Sequence, residues 1–221
     1  MTRKPTVFAI DDEHEILELY ESALSSSFEV RLFSSGKAAM SAATATGTRA
    51  ASAWPDAMLV DLVMPELDGI ETIAKSRDQG YQGPFVICSG MADKNYAIQA
   101  LAMKAFALLE KPFAGQELRN IMKHAVTESK LIDINNRMMS LNVELAKNAA
   151  EMTSLYEQRL AEAESLMFGA KKDQHDKDNF LDHQKYYEIF SRVSKRIDAL
   201  RFDIQNLQKE QEDLLAWRNL N

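Results

Sequence analysis

Met58-Leu59-Val60-Asp61-Leu62-Val63-Met64-Pro65-Glu66-Leu67-Asp68-Gly69 is the stretch whose reading decides the fold. The run from Ala57 to Val60 is apolar and bounded by turn residues, so it reads as a strand buried on both faces. It stops at a carboxylate, Asp61, and a turn carrying Pro65 and Gly69 follows. In an open parallel sheet the carboxyl ends of the strands form the edge where sites are built. An Asp at a strand end is as often a turn former or helix cap as a functional group, so the neighbouring segments must decide.

Working outward, Thr6 to Ile10 is a short β-rich apolar run that ends in Asp11-Asp12-Glu13. Ile16, Leu17, Tyr20, Ala23 and Leu24 then recur at helical spacing. Phe28 to Phe33 reads as a second strand, and a helix follows Ser34-Ser35-Gly36. Thr44 to Pro55 is poorly patterned and reads as a frayed helix end plus a loop. After Gly69 a helix starts at Ile70. Pro84 to Cys88 is a fourth strand, ended by Ser89-Gly90; Tyr96 to Met103 is helical; Ala105 to Leu109 is a fifth strand, ended by Glu110-Lys111-Pro112-Phe113. Strands alternating with helices predict βαβ units and a parallel sheet. Right-handed crossovers then gather the strand ends on one edge, which brings together Asp11, Asp12, Asp61, Ser89 and Lys111.

Three clustered carboxylates repel one another and need a hard cation to coexist; oxygen ligands with retained waters suit Mg²⁺. Asp61, central in the set, is placed to act as a carboxylate nucleophile on phosphorus. Ser89 and Lys111 are suited to hold phosphoryl oxygens, one by hydrogen bond and one as a point charge. Phosphoryl transfer needs mainly positioning and charge neutralisation, and this set supplies both.

At this point the residues point to a family. Ile10-Asp11-Asp12-Glu13, Asp61-Leu62-Val63-Met64-Pro65 with Asp68-Gly69, Ser89-Gly90 and Lys111-Pro112-Phe113, in that order, closely resemble the receiver domain of bacterial two-component response regulators of the chemotaxis-regulator type. The resemblance covers residues 5 to about 114. It implies a flavodoxin-like (βα)5 fold of strand order 2-1-3-4-5. It makes Asp61 the phosphoacceptor, Asp12 a direct Mg²⁺ ligand, Asp11 a ligand through water, and the Val63 backbone carbonyl a further ligand. Ser89 resembles the switch hydroxyl and Lys111 the phosphate-binding lysine, with Lys111-Pro112 a cis peptide as in the family. The chain departs from the family pattern at Leu108, where a Tyr or Phe usually stands three residues before the lysine. Phe106 lies two residues earlier on the same strand face.

Beyond residue 114 helical periodicity barely stops. Residues 115–130 read as the last receiver helix running on into a linker, with Leu118, Ile121, Met122 and Ala125 facing the sheet. Residues 131–168 carry a heptad seam: Leu131, Ile134, Met138, Leu141, Leu145, Asn148, Met152 and Leu155. Asn148 is its polar member, placed to fix register. Past Leu155, Arg159 and Glu162 fall on core positions and Leu160, Ala163 and Met167 shift the stripe sideways. Residues 169–179 are nearly all polar and read as a hinge. Residues 180–221 carry a second seam: Phe190, Val193, Ile197, Leu200, Ile204, Leu207, Gln211 and Leu214. The seams either pair with each other as an antiparallel hairpin or pair between chains. A parallel homodimer through the first seam is the simplest use.

The net charge of −7 argues against wholesale nucleic-acid binding, and no recognition helix with a basic flank is evident, so no DNA is expected. No apolar stretch approaches a membrane span. One cysteine, Cys88, fits a reducing, cytoplasmic setting. The expected function is a response regulator that takes a phosphoryl group from a sensor histidine kinase or phosphotransfer protein and passes the change to a helical protein-interaction output. No separate enzymatic domain is recognised. The alternatives are an enzymatic or histidine-phosphotransfer module in the last helix, using His183, or a receiver serving as a constitutive scaffold. His14 reads as a rim residue and His175 as solvated.

Overall fold

A computed structural model of the chain describes residues 3–44, 54–65, 67–90, 94–168 and 176–219. The chain divides into two compact units, Met1–Lys130 and Leu131–Asn221.

The first unit is a five-stranded parallel sheet of order β2-β1-β3-β4-β5. Its strands are β1 (Thr6–Ile10), β2 (Glu29–Phe33), β3 (Ala57–Asp61), β4 (Phe85–Ser89) and β5 (Ala107–Glu110). Between them run α1 (His14–Leu24), α2 (Gly36–Thr44), α3 (Gly69–Asp78) and α4 (Lys94–Ala102), and α5 (Gly115–Phe168) follows β5. This is the flavodoxin-like α/β fold that the receiver resemblance implies, followed by a long helical region. Every residue of β3 and β4 is buried, which is why those strands read as unbroken apolar runs rather than alternating ones. Phe8, Ile10, Met58, Val60, Phe85 and Ile87 pack on one face against Ala39, Ala43, Ile73 and Tyr81. The alternate strand residues face the other way, where Leu17, Tyr20, Leu24, Leu118, Met122 and Val126 are buried.

Strand boundaries differ from the sequence expectation by one or two residues. The fifth strand starts at Ala107, not Ala105; Phe106 precedes it, its N–H bonding the Phe85 carbonyl at 2.7 Å. Leu108 lies within the strand and is exposed. Most of the Thr44–Pro55 loop lies outside the described residues.

In the second unit, the Leu131–Phe168 part of α5 and α6 (Asp176–Asn219) form an antiparallel pair. Cross-helix contacts set the direction. Arg137 meets Glu210 at 3.9 Å and Glu144 meets Arg196 at 2.5 Å. Tyr156 meets Phe190 with ring centroids 5.5 Å apart, and the Arg159 guanidinium lies 4.6 Å from the Tyr186 ring centroid. The partner number falls as the α5 number rises. Both predicted seams face inward: Ile134, Val193, Leu200 and Leu207 are buried, and Met138, Leu141, Leu145, Asn148, Met152 and Leu155 are half-buried.

Three expectations are corrected here. The first seam is not free for a parallel dimer, because it is spent against the second. The stripe also does not swing sideways after Leu155: Leu160 is 62% exposed, whereas Arg159 stays half-buried with its guanidinium on Tyr186. A planar cation on an aromatic face substitutes for an apolar core residue. The expected hinge over 169–179 is also shorter at its far end, because Asp176 already belongs to α6. Residues 169–175, including His175, lie outside the described residues.

Candidate functional site

The five predicted polar residues all stand at the carboxyl edge of the sheet. Asp11 directly follows β1, Asp61 and Ser89 are the last residues of β3 and β4, and Lys111 directly follows β5. Backbone bonds knit the edge together. Asp11 N–H donates to the Phe33 carbonyl at 3.1 Å, Leu62 N–H to the Cys88 carbonyl at 3.0 Å, and Lys111 N–H to the Ser89 carbonyl at 2.8 Å.

Lys111 ties the cleft together. Its Nζ donates to Asp11 Oδ2 at 2.7 Å and to Asp61 Oδ1 at 2.6 Å. Asp11 is fully buried, Asp61 is 5% exposed and Ser89 is 2% exposed. Asp12 and Val63 stand exposed at the rim. The second oxygen of Asp61 accepts the Val63 N–H at 2.8 Å, and Asp11 Oδ1 accepts the Glu13 N–H at 3.0 Å. The Lys111-Pro112 bond is cis. His14 is at the surface, 3.4 Å from Glu18, and takes no part in this network. His183 lies within α6.

Why the chain folds this way locally is visible around Asp61. The Asp68 carboxylate caps α3 by accepting the Glu71 N–H at 2.7 Å. Gly69 N–H bonds the Leu62 carbonyl at 3.0 Å. A Cβ on Gly69 would stand 2.3 Å from the Asp61 carbonyl oxygen and 2.9 Å from Leu62 Cα. Only glycine lets α3 begin this close to the end of β3.

The electrostatics follow from burial. Loss of solvent raises the Asp61 carboxyl above its ordinary range; the hydrogen bond and charge of Lys111 oppose this, and the Asp11 charge adds to it. Burial alone would lower the Lys111 ammonium, but its bonds to Asp11 and Asp61 outweigh that and raise it. Three carboxylates stand against one ammonium, so the cleft carries an excess of negative oxygen donors. That donor chemistry, with two of the candidate ligands at the solvent rim, fits a hard divalent cation that keeps part of its water shell. Among the described residues no three acidic, histidine or cysteine side chains are already gathered as a metal cluster.

The sequence reading missed Tyr20. It counts there only as an apolar helix position, yet its hydroxyl donates to Asp11 Oδ2 at 2.9 Å from the interior side of the cleft. Its ring stacks on Phe113 at 6.1 Å, directly after the cis Lys111-Pro112 bond. Burial pushes the neighbouring Cys88 thiol up to about 12. Burial, and then the neighbouring Cys88 and Asp11, raises Tyr20 itself. A signal was available: a tyrosine on the inner face of a helix must find a partner for its hydroxyl, and the acid pair is the nearest polar group on that edge.

Comparison with known proteins agrees with the site. The family model of the response regulator receiver domain matches residues 7–123, more than half of the chain. The chain belongs to the response regulator receiver family. It is 28% identical over 127 residues to the regulatory protein AtoC of Escherichia coli, a match covering 57% of this chain and 26% of that protein. It is likewise 28% identical over 153 residues to a protein-glutamate methylesterase/protein-glutamine glutaminase of Leptospira interrogans, covering 68% of this chain and 39% of that protein. The chain thus spans well under half the length of these two relatives. Among solved structures, the CheY-like receiver domain protein of Methanospirillum hungatei JF-1 aligns with a TM-score of 0.51 at 18% identity, over 58% of this chain and 98% of that one. That likeness is one of fold. Receiver domains of two-component response regulators interact with histidine kinases or phosphotransfer proteins, and phosphoryl acceptance is the activity the family implies. Among the described residues no helix is long and apolar enough to cross a membrane.

Proposed function

We propose that this chain is a response regulator whose Asp61 accepts a phosphoryl group, and whose helical pair is the output surface read by other protein chains. The observation that carries the reading is Lys111 bridging Asp11 and Asp61 at the carboxyl edge, with Ser89 at the end of the next strand. An Asp61 carboxylate oxygen forms a bond to phosphorus while the P–N bond of a phosphohistidine, or the P–O bond of a small acyl phosphate, breaks. The electron pair leaves with the donor, whose leaving group is then protonated from solvent. Lys111 exchanges its bond to Asp61 Oδ1 for a phosphoryl oxygen, and Ser89 donates its hydroxyl to another. Asp12, Asp61 and the Val63 carbonyl would hold Mg²⁺, with Asp11 acting through water. When bound, the ion supplies charge neutralisation for the incoming phosphoryl group.

The partners of this reading are a sensor histidine kinase or phosphotransfer protein and, through the helices, a second copy of the chain or another protein. The setting is the cytoplasm. The helices are read as an interaction surface and not as a catalytic module. Incubation with acetyl phosphate and Mg²⁺ is expected to add the mass of one phosphate to the intact chain. That label is expected to vanish in Asp61→Asn and on chelation of the metal. Undiminished labelling of Asp61→Asn would overturn the assignment.

A further inference from the structure

Asp11 Oδ2 has two side-chain donors, and they reach it from different sides. Lys111 comes from the cleft at 2.7 Å and Tyr20 from the interior at 2.9 Å. The same ammonium also holds Asp61 Oδ1 at 2.6 Å. A phosphoryl group on Asp61 changes what Lys111 faces, because new oxygens then compete with Asp11 for its protons. Asp11 is fully buried, so a carboxylate whose ammonium is drawn away has no water to turn to. Tyr20 is the side-chain donor that stays on Oδ2, and its bond to that charged oxygen strengthens as the competing donor withdraws.

Tyr20 is itself fully buried, and its ring faces the segment that leads into α5. The ring centroid lies 6.1 Å from that of Phe113, with the two planes 8° apart. Three residues further along α1, the Ala23 carbonyl accepts Arg119 Nε of α5 at 2.7 Å. A Cβ on Gly115, the first residue of α5, would stand 3.3 Å from Ala23 Cβ. Helix α1 and the start of α5 therefore meet without slack, and a packed interior transmits a displacement rather than absorbing it. Leu108 in β5 is exposed and carries no polar group with which to follow the cleft.

We propose that Tyr20 is the residue through which this chain senses its phosphoryl group. Its hydroxyl follows the Asp11–Lys111 pair, and its ring carries the displacement through Phe113 to the start of α5. Tyr20 touches neither the phosphoryl group nor the acceptor oxygen, so it is a positioning residue. The two states differ in a named contact, as any ligand-driven shift requires. Before transfer, Lys111 and Tyr20 share Asp11 Oδ2; after transfer, Tyr20 holds it against a weaker competitor. The inference rests on Asp61 as the phosphoacceptor and goes beyond it, because acceptance at Asp61 does not itself require a tyrosine on α1. Hydroxyl and ring have separate tasks, so Tyr20→Phe removes the first and keeps the second.

The test uses the full chain carrying 3-fluorotyrosine, read by ¹⁹F NMR. The chain has six tyrosines, and the resonance missing from Tyr20→Phe is that of Tyr20. With Mg²⁺ present throughout, addition of acetyl phosphate is expected to move that resonance by more than its linewidth. Tyr81, whose hydroxyl bonds the Pro84 carbonyl at the amino edge of the sheet, is expected to stay in place. In non-fluorinated protein, amide exchange over residues 113–119 is expected to differ between the phosphorylated and unphosphorylated parent. Tyr20→Phe is expected to lose most of that difference while taking the same phosphate stoichiometry by intact mass. A purely structural role would change exchange equally in both states and leave the difference intact. A Tyr20 resonance unmoved in a chain that takes phosphate would overturn the proposal and leave the Asp61 reading standing. So would a Tyr20→Phe chain that keeps the whole exchange difference, or one that takes no phosphate. A parent that takes no phosphate would overturn the Asp61 reading and the proposal with it.

Discussion

The Tyr20 hydroxyl donates to Asp11 Oδ2 at 2.9 Å, the same oxygen that accepts the Lys111 ammonium at 2.7 Å. Asp11 is fully buried, so its charge depends on these donors and on the Glu13 N–H. A hydrogen bond to a charged group contributes about 1.5–3 kcal/mol. Tyr20→Phe is expected to lose stability of that size in urea titration. Combined with Asp11→Asn it is expected to cost clearly less than the sum of the two single changes, because they remove one shared bond. Strict additivity would mean the bond contributes nothing.

Gly69 is the second place where one atom decides. An alanine Cβ there would press into the backbone at Asp61 and Leu62, atoms that cannot rotate away. Overpacking of this kind costs about 1–3 kcal/mol. Gly69→Ala is expected to lower stability within that range and to slow acetyl phosphate labelling, since relief of the clash displaces the residue carrying the acceptor. Gly90→Ala, with nothing near its added Cβ, is the matched control and is expected to be within about 0.5 kcal/mol of the parent.

The cleft also sets an alkaline limit. The Lys111 ammonium is raised in the fold, so the stability it contributes is fully present below its unfolded value of about 10.4 and is lost as pH climbs through the higher folded value. Arginine keeps its charge throughout this window. The drop in denaturation midpoint between about pH 9.5 and 11.5 is expected to be smaller in Lys111→Arg than in the parent. Tyr20, Tyr81 and Cys88, whose buried groups are also raised, contribute to the drop in both chains as pH rises past their unfolded values. Asp61, also raised, has the same sign of pH dependence at the acid end of the range. Its raised carboxyl is a cost above the folded value, relieved as pH falls through it, so mild acid does not strip stability at that residue. An equal alkaline drop in Lys111→Arg would show that the Lys111 charge contributes nothing to the fold.

The receiver fold was legible because β3 and β4 are buried on both faces and each ends in a polar residue; period and punctuation agree there. The edge positions of Asp11, Asp61, Ser89 and Lys111 follow from topology alone. The role of Tyr20 did not, because its helical spacing looks the same whether its tip is paired or merely buried. Both heptad seams were legible residue by residue, but their pairing was not. An apolar stripe specifies that something covers it and does not specify which helix does so. Arg159 shows a further limit: hydropathy removes it from the core, whereas the Tyr186 ring admits it.

Asn148 is the remaining polar member of the inner seam, and its bonding changes what its replacement should do. In a coiled coil a core Asn that pairs across the interface sacrifices stability for register. Here its Nδ2 donates to the Glu144 carbonyl of its own helix at 2.8 Å. A bond to the preceding turn offers no discrimination between partners. Register instead rests on Glu144–Arg196, Tyr156–Phe190 and the Arg159–Tyr186 stack. Asn148→Leu therefore exchanges a locally satisfied amide for apolar burial at a half-buried site. It is expected to raise stability by about 1–2 kcal/mol without altering helix pairing. Thermal unfolding of the full chain measures the first part. Disulfide trapping of cysteines at Tyr156 and Phe190, in a Cys88→Ser background, measures the second and is expected to be equally efficient with Asn or Leu at position 148. A loss of trapping in Asn148→Leu would mean that the amide sets the register after all, and a loss of stability would mean that its bond to Glu144 outweighs the burial.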